Sequence, residues 1–196
     1  MMIWINGAFG AGKTQTAYEL HYRLPGSIVF DPENAGFYIR RNLPSTLAKD
    51  DFQDYAMWRQ INTEMLSYIT QHFDGIVIIP MTVVHPQYFD ELIGEPRRKG
   101  IALHHFVLGA SRETLLGRLR SRGDGSKSWP AQQIDRCVAA LSDPLFATWL
   151  DTEKWTVSET AERIAQLAGV ELQPDNRSAL RKRLDRWKVK FQHIRF

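Results

Sequence analysis

The sequence predicts a three-layer α/β domain, with helices packed on both faces of a parallel sheet, and three observations predict it. Short apolar runs alternate with stretches of helical periodicity along most of the chain. The clearest run, Gly75-Ile76-Val77-Ile78-Ile79-Pro80, is apolar at successive positions, as a strand covered on both faces must be. A glycine-rich stretch, Gly7 to Thr14, falls where the first strand has to turn into the first helix. Strand–helix–strand alternation implies parallel βαβ units, and in such sheets ligands bind outside the carboxyl ends of the strands.

Taken in order, Ile3-Trp4-Ile5 reads as a buried first strand ending at Asn6-Gly7. A helix follows from Lys13 to about Leu24 and is stopped by Pro25-Gly26. Ser27-Ile28-Val29-Phe30 is the second strand, closed by Asp31-Pro32. Residues 50 to 73 read as helix rich in aromatics (Phe52, Tyr55, Trp58, Tyr68, Phe73), which at helical spacing belong to a core or to an apolar cleft. Gly75–Pro80 and Ile101–Leu108 are the third and fourth strands. After the fourth, Ser111 is placed to cap a helix with Glu113 in its first turn. Arg120 to Pro130 reads as a mobile polar loop, Ala131 to Leu141 as helix, and Asp143-Pro144 as its break. A short strand is expected around Trp155-Thr156-Val157, then a helix from Ser158 to Leu167 ending at Gly169.

The 196 residues suffice for one domain with a substantial core, and 43% hydrophobic with 24% charged residues is ordinary for a soluble globular chain. No apolar stretch is long enough to span a bilayer, and no basic leader precedes the first strand. One cysteine, Cys137, excludes an intramolecular disulfide, suits a reducing cytoplasm, and reads as a buried inert thiol. The net charge of +3 is unevenly spread. From Pro174 to Phe196 eight Lys or Arg face two Asp, so this segment carries +6 and the rest of the chain −3. The chain thus divides into a body, 1–173, and a basic C-terminal helix, 174–196.

Gly7-Ala8-Phe9-Gly10-Ala11-Gly12-Lys13-Thr14 satisfies the P-loop pattern in full, in its required strand–loop–helix setting. Glycines permit backbone shapes closed to other residues, so the N–H groups of the loop and of Gln15 beyond it can converge on phosphate oxygens. Lys13 would reach the terminal phosphates, and Thr14 would offer its hydroxyl to a Mg²⁺ ion carried with the nucleotide. The Asn-Lys-x-Asp element that reads guanine is absent, which favours ATP. Its adenine is expected between the helix after Ser111 and the loop near Asp151-Thr152.

Arg112, Arg118, Arg120 and Arg122 precede the glycine-containing loop, and Arg118 and Arg122 share one helical face. Arginines closing over a transferring phosphoryl group would stabilise its charge, with Gly123 and Gly125 allowing the movement. Asp31, at the end of the second strand, is the candidate base for an acceptor hydroxyl, and an Asp-Pro turn or helix cap is its structural alternative. Glu33, Phe37, Thr82 and His85 are weaker candidates for the acceptor side. No carboxylate ends the third strand, where Pro80-Met81-Thr82 stands instead, so Asp31 is left to serve the metal shell as well. His104-His105 have no third ligand at metal spacing and read as structural.

In the tail Leu180, Leu184, Trp187, Phe191 and Ile194 form one apolar stripe among Lys and Arg. Such a helix suits an anionic membrane surface or packs on the body of its own domain; nucleic acid is not expected, since a lone basic helix has no base-reading partner.

With these residues in view, the chain resembles the bacterial tunicamycin-resistance protein family over essentially its full length. The resemblance rests on Ile3–Gly10 leading into Gly12–Thr16, on Asp31-Pro32-Glu33, on Lys49-Asp50-Asp51-Phe52-Gln53, and on Pro80 to Pro86. Gln133–Cys137 and the closing His193-Ile194-Arg195-Phe196 add to it. It implies an ATP-binding P-loop fold of the nucleoside- and antibiotic-kinase type, acting on tunicamycin, an amphiphilic uridine-containing antibiotic. The family is similar to chloramphenicol phosphotransferases, in which an Asp after the second strand acts as base, and Asp31 holds that place. It also implies contact of the C-terminal helix with the membrane, at the inner face of the cell. The expectation is phosphorylation of a tunicamycin hydroxyl. Sequestration of the drug without chemistry, and a small-metabolite kinase with incidental resistance, are the alternatives.

Overall fold

The computed structural model describes residues 1–192, with side chains as far as Lys190. Five parallel strands, β1 (Met2–Gly7), β2 (Ser27–Val29), β3 (Ile76–Pro80), β4 (Leu103–Gly109) and β5 (Trp149–Asp151), form one sheet in the order β2-β3-β1-β4-β5. β1 lies at its centre and every one of its residues is buried, which accounts for its lack of polar alternation. The register pairs Ile5 with Pro80 on one side and Phe106 on the other, so the carboxyl ends of β1, β3 and β4 finish at one edge.

The helices are α1 (Lys13–Arg23), α2 (Glu33–Asn42), α3 (Ala56–His72), α4 (Pro86–Phe89), α5 (Glu95–Arg98), α6 (Arg112–Arg122), α7 (Trp129–Leu141), α8 (Val157–Ala168) and α9 (Ala179–Gln192). A π turn, Asp90–Gly94, joins α4 to α5. α1 packs against α8 and α9, α2 against α3, and α6 against α7. Ser111 caps α6 by accepting the Thr114 N–H, and Gly123 ends it in the left-handed region.

The structure departs from the sequence expectations in two places. The aromatic helix begins at Ala56, because Asp51 accepts the Gln53 N–H and holds Phe52–Asp54 in a tighter 3₁₀ turn. The last strand is Trp149–Asp151; Trp155 lies in the following loop, because Thr156 caps α8 and closes a capping box with Glu159. α2, for which no element was expected, forms with a glycine inside it. A Cβ at Gly36 would sit 2.5 Å from the Phe52 ring, so packing rather than propensity chose that residue.

The tail is docked on the body by the polar segment that precedes α9. Arg177, 6% exposed, pairs with Glu19 of α1 at 2.6 Å and with Asp175 at 2.8 Å, and lies 3.9 Å from the centre of the Tyr22 ring. Lys182 also pairs with Asp175, at 2.9 Å. Leu180, Leu184 and Trp187 of the expected stripe point away from the body, 68%, 50% and 47% exposed. The Phe191 side chain and Ile194 lie outside the described residues. Among the described residues no helix is long and apolar enough to cross a membrane.

Candidate nucleotide and acceptor site

The P-loop leaves the end of β1 and closes over the start of α1. Gly12 is the residue before α1 and adopts φ 95°, a conformation costly for any side chain. Gly10, at φ 83°, is needed for a second reason: a Cβ there would lie 2.8 Å from the Leu115 carbonyl, so α6 packs directly on the loop backbone. α1 has no side-chain cap, and the N–H groups of its first turn have no acceptor within the helix. They form, with the positive end of the helix, a cradle suited to an anion.

Lys13 turns back over that cradle. Its ammonium donates to the carbonyls of Gly7 at 3.0 Å and Ala8 at 3.1 Å, and lies 5.4 Å from the Phe9 ring centre. Burial lowers its pKa to about 8, an effect only partly opposed by the charge of Glu33. A desolvated cation held by neutral carbonyls, beside unpartnered helix amides, is a fit for phosphate.

From the loop a cavity of about 490 Å³ extends along the carboxyl edge of the sheet. Phe9 to Thr16 form its floor. Asp31, Glu33 and Pro80 stand at one end; Arg118, Arg122, Thr152 and Trp155 line the other side. Asp31 accepts the Glu33 N–H at 3.0 Å, closing the turn that leads into α2, and lines the cavity. The turn that carries it is fixed by the buried Trp58, whose indole donates to the Pro32 carbonyl at 3.0 Å.

Arg118 is anchored away from the cradle. It donates to the Thr152 hydroxyl at 3.0 Å and the Thr152 carbonyl at 2.7 Å, where Thr152 in turn is bonded to the end of β4. This holds its guanidinium at Thr152, at the end where sequence reasoning expected a nucleobase. Arg122 pairs with Asp124 at 2.7 Å and lines the cavity. Of the weaker candidates only Glu33 reaches the cavity wall. Thr82 is buried and donates to the Gly7 carbonyl at 2.8 Å, supporting the loop from below. His85 is exposed and stacks on Tyr88, and Phe37 packs on the Phe52 ring. None of these three lines the cavity.

Sequence reasoning missed Trp155, assigned to a strand, and the contribution of α9, which brings Arg186, Val189 and Lys190 to the cavity. The first was findable: Thr156-x-x-Glu159 is a helix-start signature that leaves Trp155 in a loop. The second follows from a long-range ion pair, Arg177–Glu19, that no local pattern announces.

Beneath the loop Asn6 ties three strands together. Its Oδ1 accepts the Gly7 and Val83 N–H groups, and its Nδ2 donates to the Val83 carbonyl and meets His105 Nε2 at 3.2 Å. His105 is therefore the acceptor, with its proton on Nδ1, and burial drives its pKa down to about 3.

Residues 2–144 match the AAA domain family. No match is found among curated proteins. Among solved structures the tunicamycin resistance protein of Deinococcus radiodurans is 32% identical, with a TM-score of 0.74, covering 89% of this chain and 99% of its own. A sugar kinase from Janibacter (17% identity, TM-score 0.62, 86% and 94% covered) shares the fold. So does a gluconokinase from Sinorhizobium meliloti (19%, 0.59, 86% and 93%). The match over most of the chain, on a P-loop kinase-like sheet, shows that this protein belongs to the tunicamycin-resistance proteins of the AAA-domain, P-loop kinase-like class.

Proposed function

We propose that the protein binds ATP with Mg²⁺ and transfers the γ-phosphate to a hydroxyl of tunicamycin or a related amphiphilic nucleoside. The observation that carries this reading is that one cavity joins the P-loop, with Lys13, to the carboxylate of Asp31. A relative at 32% identity is a tunicamycin resistance protein, which supports the choice of acceptor.

In this reading Gly7–Gln15 hold the triphosphate, and Lys13 and Arg122 offset charge on the transferring group. Asp31 takes the acceptor proton as the hydroxyl oxygen bonds to phosphorus and the bond to the bridging oxygen breaks, releasing ADP. Arg118 and Trp155 flank the base. A magnesium ion carried with the triphosphate would supply charge neutralisation, and Thr14 is the loop hydroxyl able to hold it. Incubating protein, Mg-ATP and tunicamycin should give drug heavier by one phosphate; unmodified drug beside intact, nucleotide-binding protein sinks the chemistry.

One feature favours sequestration without chemistry: Thr82, where a metal-supporting carboxylate would stand at the end of β3, spends its hydroxyl on the loop. Under that alternative Asp31→Asn keeps resistance while Lys13→Ala abolishes it. The exposed Leu180-Leu184-Trp187 face of a basic helix supports residence on an anionic membrane surface at the inner face of the cell.

A further inference from the structure

The cations of the C-terminal segment fall into separate sets. Arg177, Arg181 and Lys182 are neutralised at the anchor by Glu19, Asp175 and Asp185. Arg186 and Lys190, one turn apart on the same helix, instead line the cavity that holds Lys13. Among the described residues neither has an acidic partner. Both are nonetheless positioned. Gln15, the residue that follows the P-loop, donates from Nε2 to the Arg186 carbonyl at 3.1 Å. The Lys190 ammonium donates to the Ser121 carbonyl, near the end of α6, at 3.0 Å. The tail helix thus bridges the two elements that bound the nucleotide end of the cavity, and it brings two further cations to their gap.

Among the described residues, the tail cations at the anchor are paired with carboxylates and the two along the cavity are not. Arg186 and Lys190 line the same cavity as Lys13, so a polyphosphate entering it would meet cations from both the P-loop and the tail helix. We propose that α9 is a wall of the nucleotide site, with Arg186 and Lys190 binding the anionic face of a nucleoside triphosphate, so that nucleotide occupancy and docking of the tail on α1 are coupled. This rests on the reading that the P-loop cavity takes ATP. Because coupling is reciprocal, the tail must strengthen nucleotide binding by the factor by which nucleotide strengthens tail docking.

The test uses the full chain and Mg-ATP. Calorimetric titration of an Arg186→Gln/Lys190→Gln double variant should show ATP bound about tenfold more weakly than by the unaltered protein, the loss expected for one or two charge-assisted hydrogen bonds. In the unaltered protein, saturating Mg-ATP should slow tryptic cleavage after Arg183, Arg186 and Lys188, with a midpoint matching the titration, and should not do so in Lys13→Ala. Unchanged affinity of the double variant, or tail cleavage indifferent to saturating ATP, overturns the proposal while the P-loop reading stands. Absence of any ATP uptake by the unaltered protein overturns both.

Discussion

Trp58 donates its indole N–H to the carbonyl of Pro32, across 26 positions of sequence, and in doing so fixes the turn that presents Asp31 to the cavity. Trp58 is fully buried and its ring packs against Phe52 at 5.4 Å. Trp58→Phe keeps most of the apolar volume but leaves the Pro32 carbonyl without its donor. We expect a loss of about 1–3 kcal/mol in urea unfolding, the range for an orphaned buried acceptor. Phosphate transfer should slow while ATP affinity is retained.

Asp31→Asn separates the structural from the chemical role of that side chain. An asparagine oxygen can still accept the Glu33 N–H, so thermal stability should stay within about 0.5 kcal/mol. Phosphorylation of tunicamycin, followed by mass spectrometry, should fall by about a hundredfold or more, the scale of a lost general base. Equal product formation by both proteins counts against Asp31 as the base.

Lys13 should make nucleotide affinity pH-dependent. Its pKa is lowered to about 8 in the free protein, and a bound triphosphate raises it again. Below pH 8 the ammonium is already formed and affinity is flat. Above it, binding takes up a proton and affinity falls, by up to about tenfold per pH unit until the bound-state pKa is passed. Calorimetry in buffers of different ionisation enthalpy at pH 9 reads the proton directly; no uptake there contradicts the assignment.

His105 should shape the acid limb of stability. The unfolded imidazole takes a proton near pH 6.5, whereas the folded one stays neutral to about 3. Its contribution is therefore complete above pH 6.5 and is lost as pH falls toward 3, at up to about 1.4 kcal/mol per pH unit. Denaturant titrations at pH 4.5 and 7.5 should show a smaller difference for His105→Gln than for the unaltered protein.

The outward face of α9 should govern any association with lipid. Replacing Leu180 and Leu184, 68% and 50% exposed, with Gln should reduce sedimentation with vesicles containing phosphatidylserine while leaving ATP affinity unchanged. Binding that persists undiminished would mean that charge alone is responsible.

Much of this was legible from the chain because it is local. Gly7 to Thr14 announces the strand–loop–helix turn, and the unbroken apolar run of β3 announces a central parallel strand. What escaped is set by distance. Nothing near Trp58 reveals that its indole serves Pro32, and nothing near Arg177 reveals Glu19. His85 and Thr82 follow a strand end, where ligands bind, yet one faces solvent against Tyr88 and the other holds the loop. A strand end locates a neighbourhood; the direction of each side chain there is decided by contacts from elsewhere.

The amide of Asn6 has one further meaning. Because a single side chain of β1 clasps both the segment that follows β3, at Val83, and β4, at His105, directly below the phosphate cradle, that edge of the sheet has no private way of opening. Its amide protons at Gly7 and Val83 can meet solvent only when the whole molecule lets go, so they should be among the last to exchange with deuterium. The cradle is thus the part of the chain that moves least on its own, and the parts that travel are the ones hung above it.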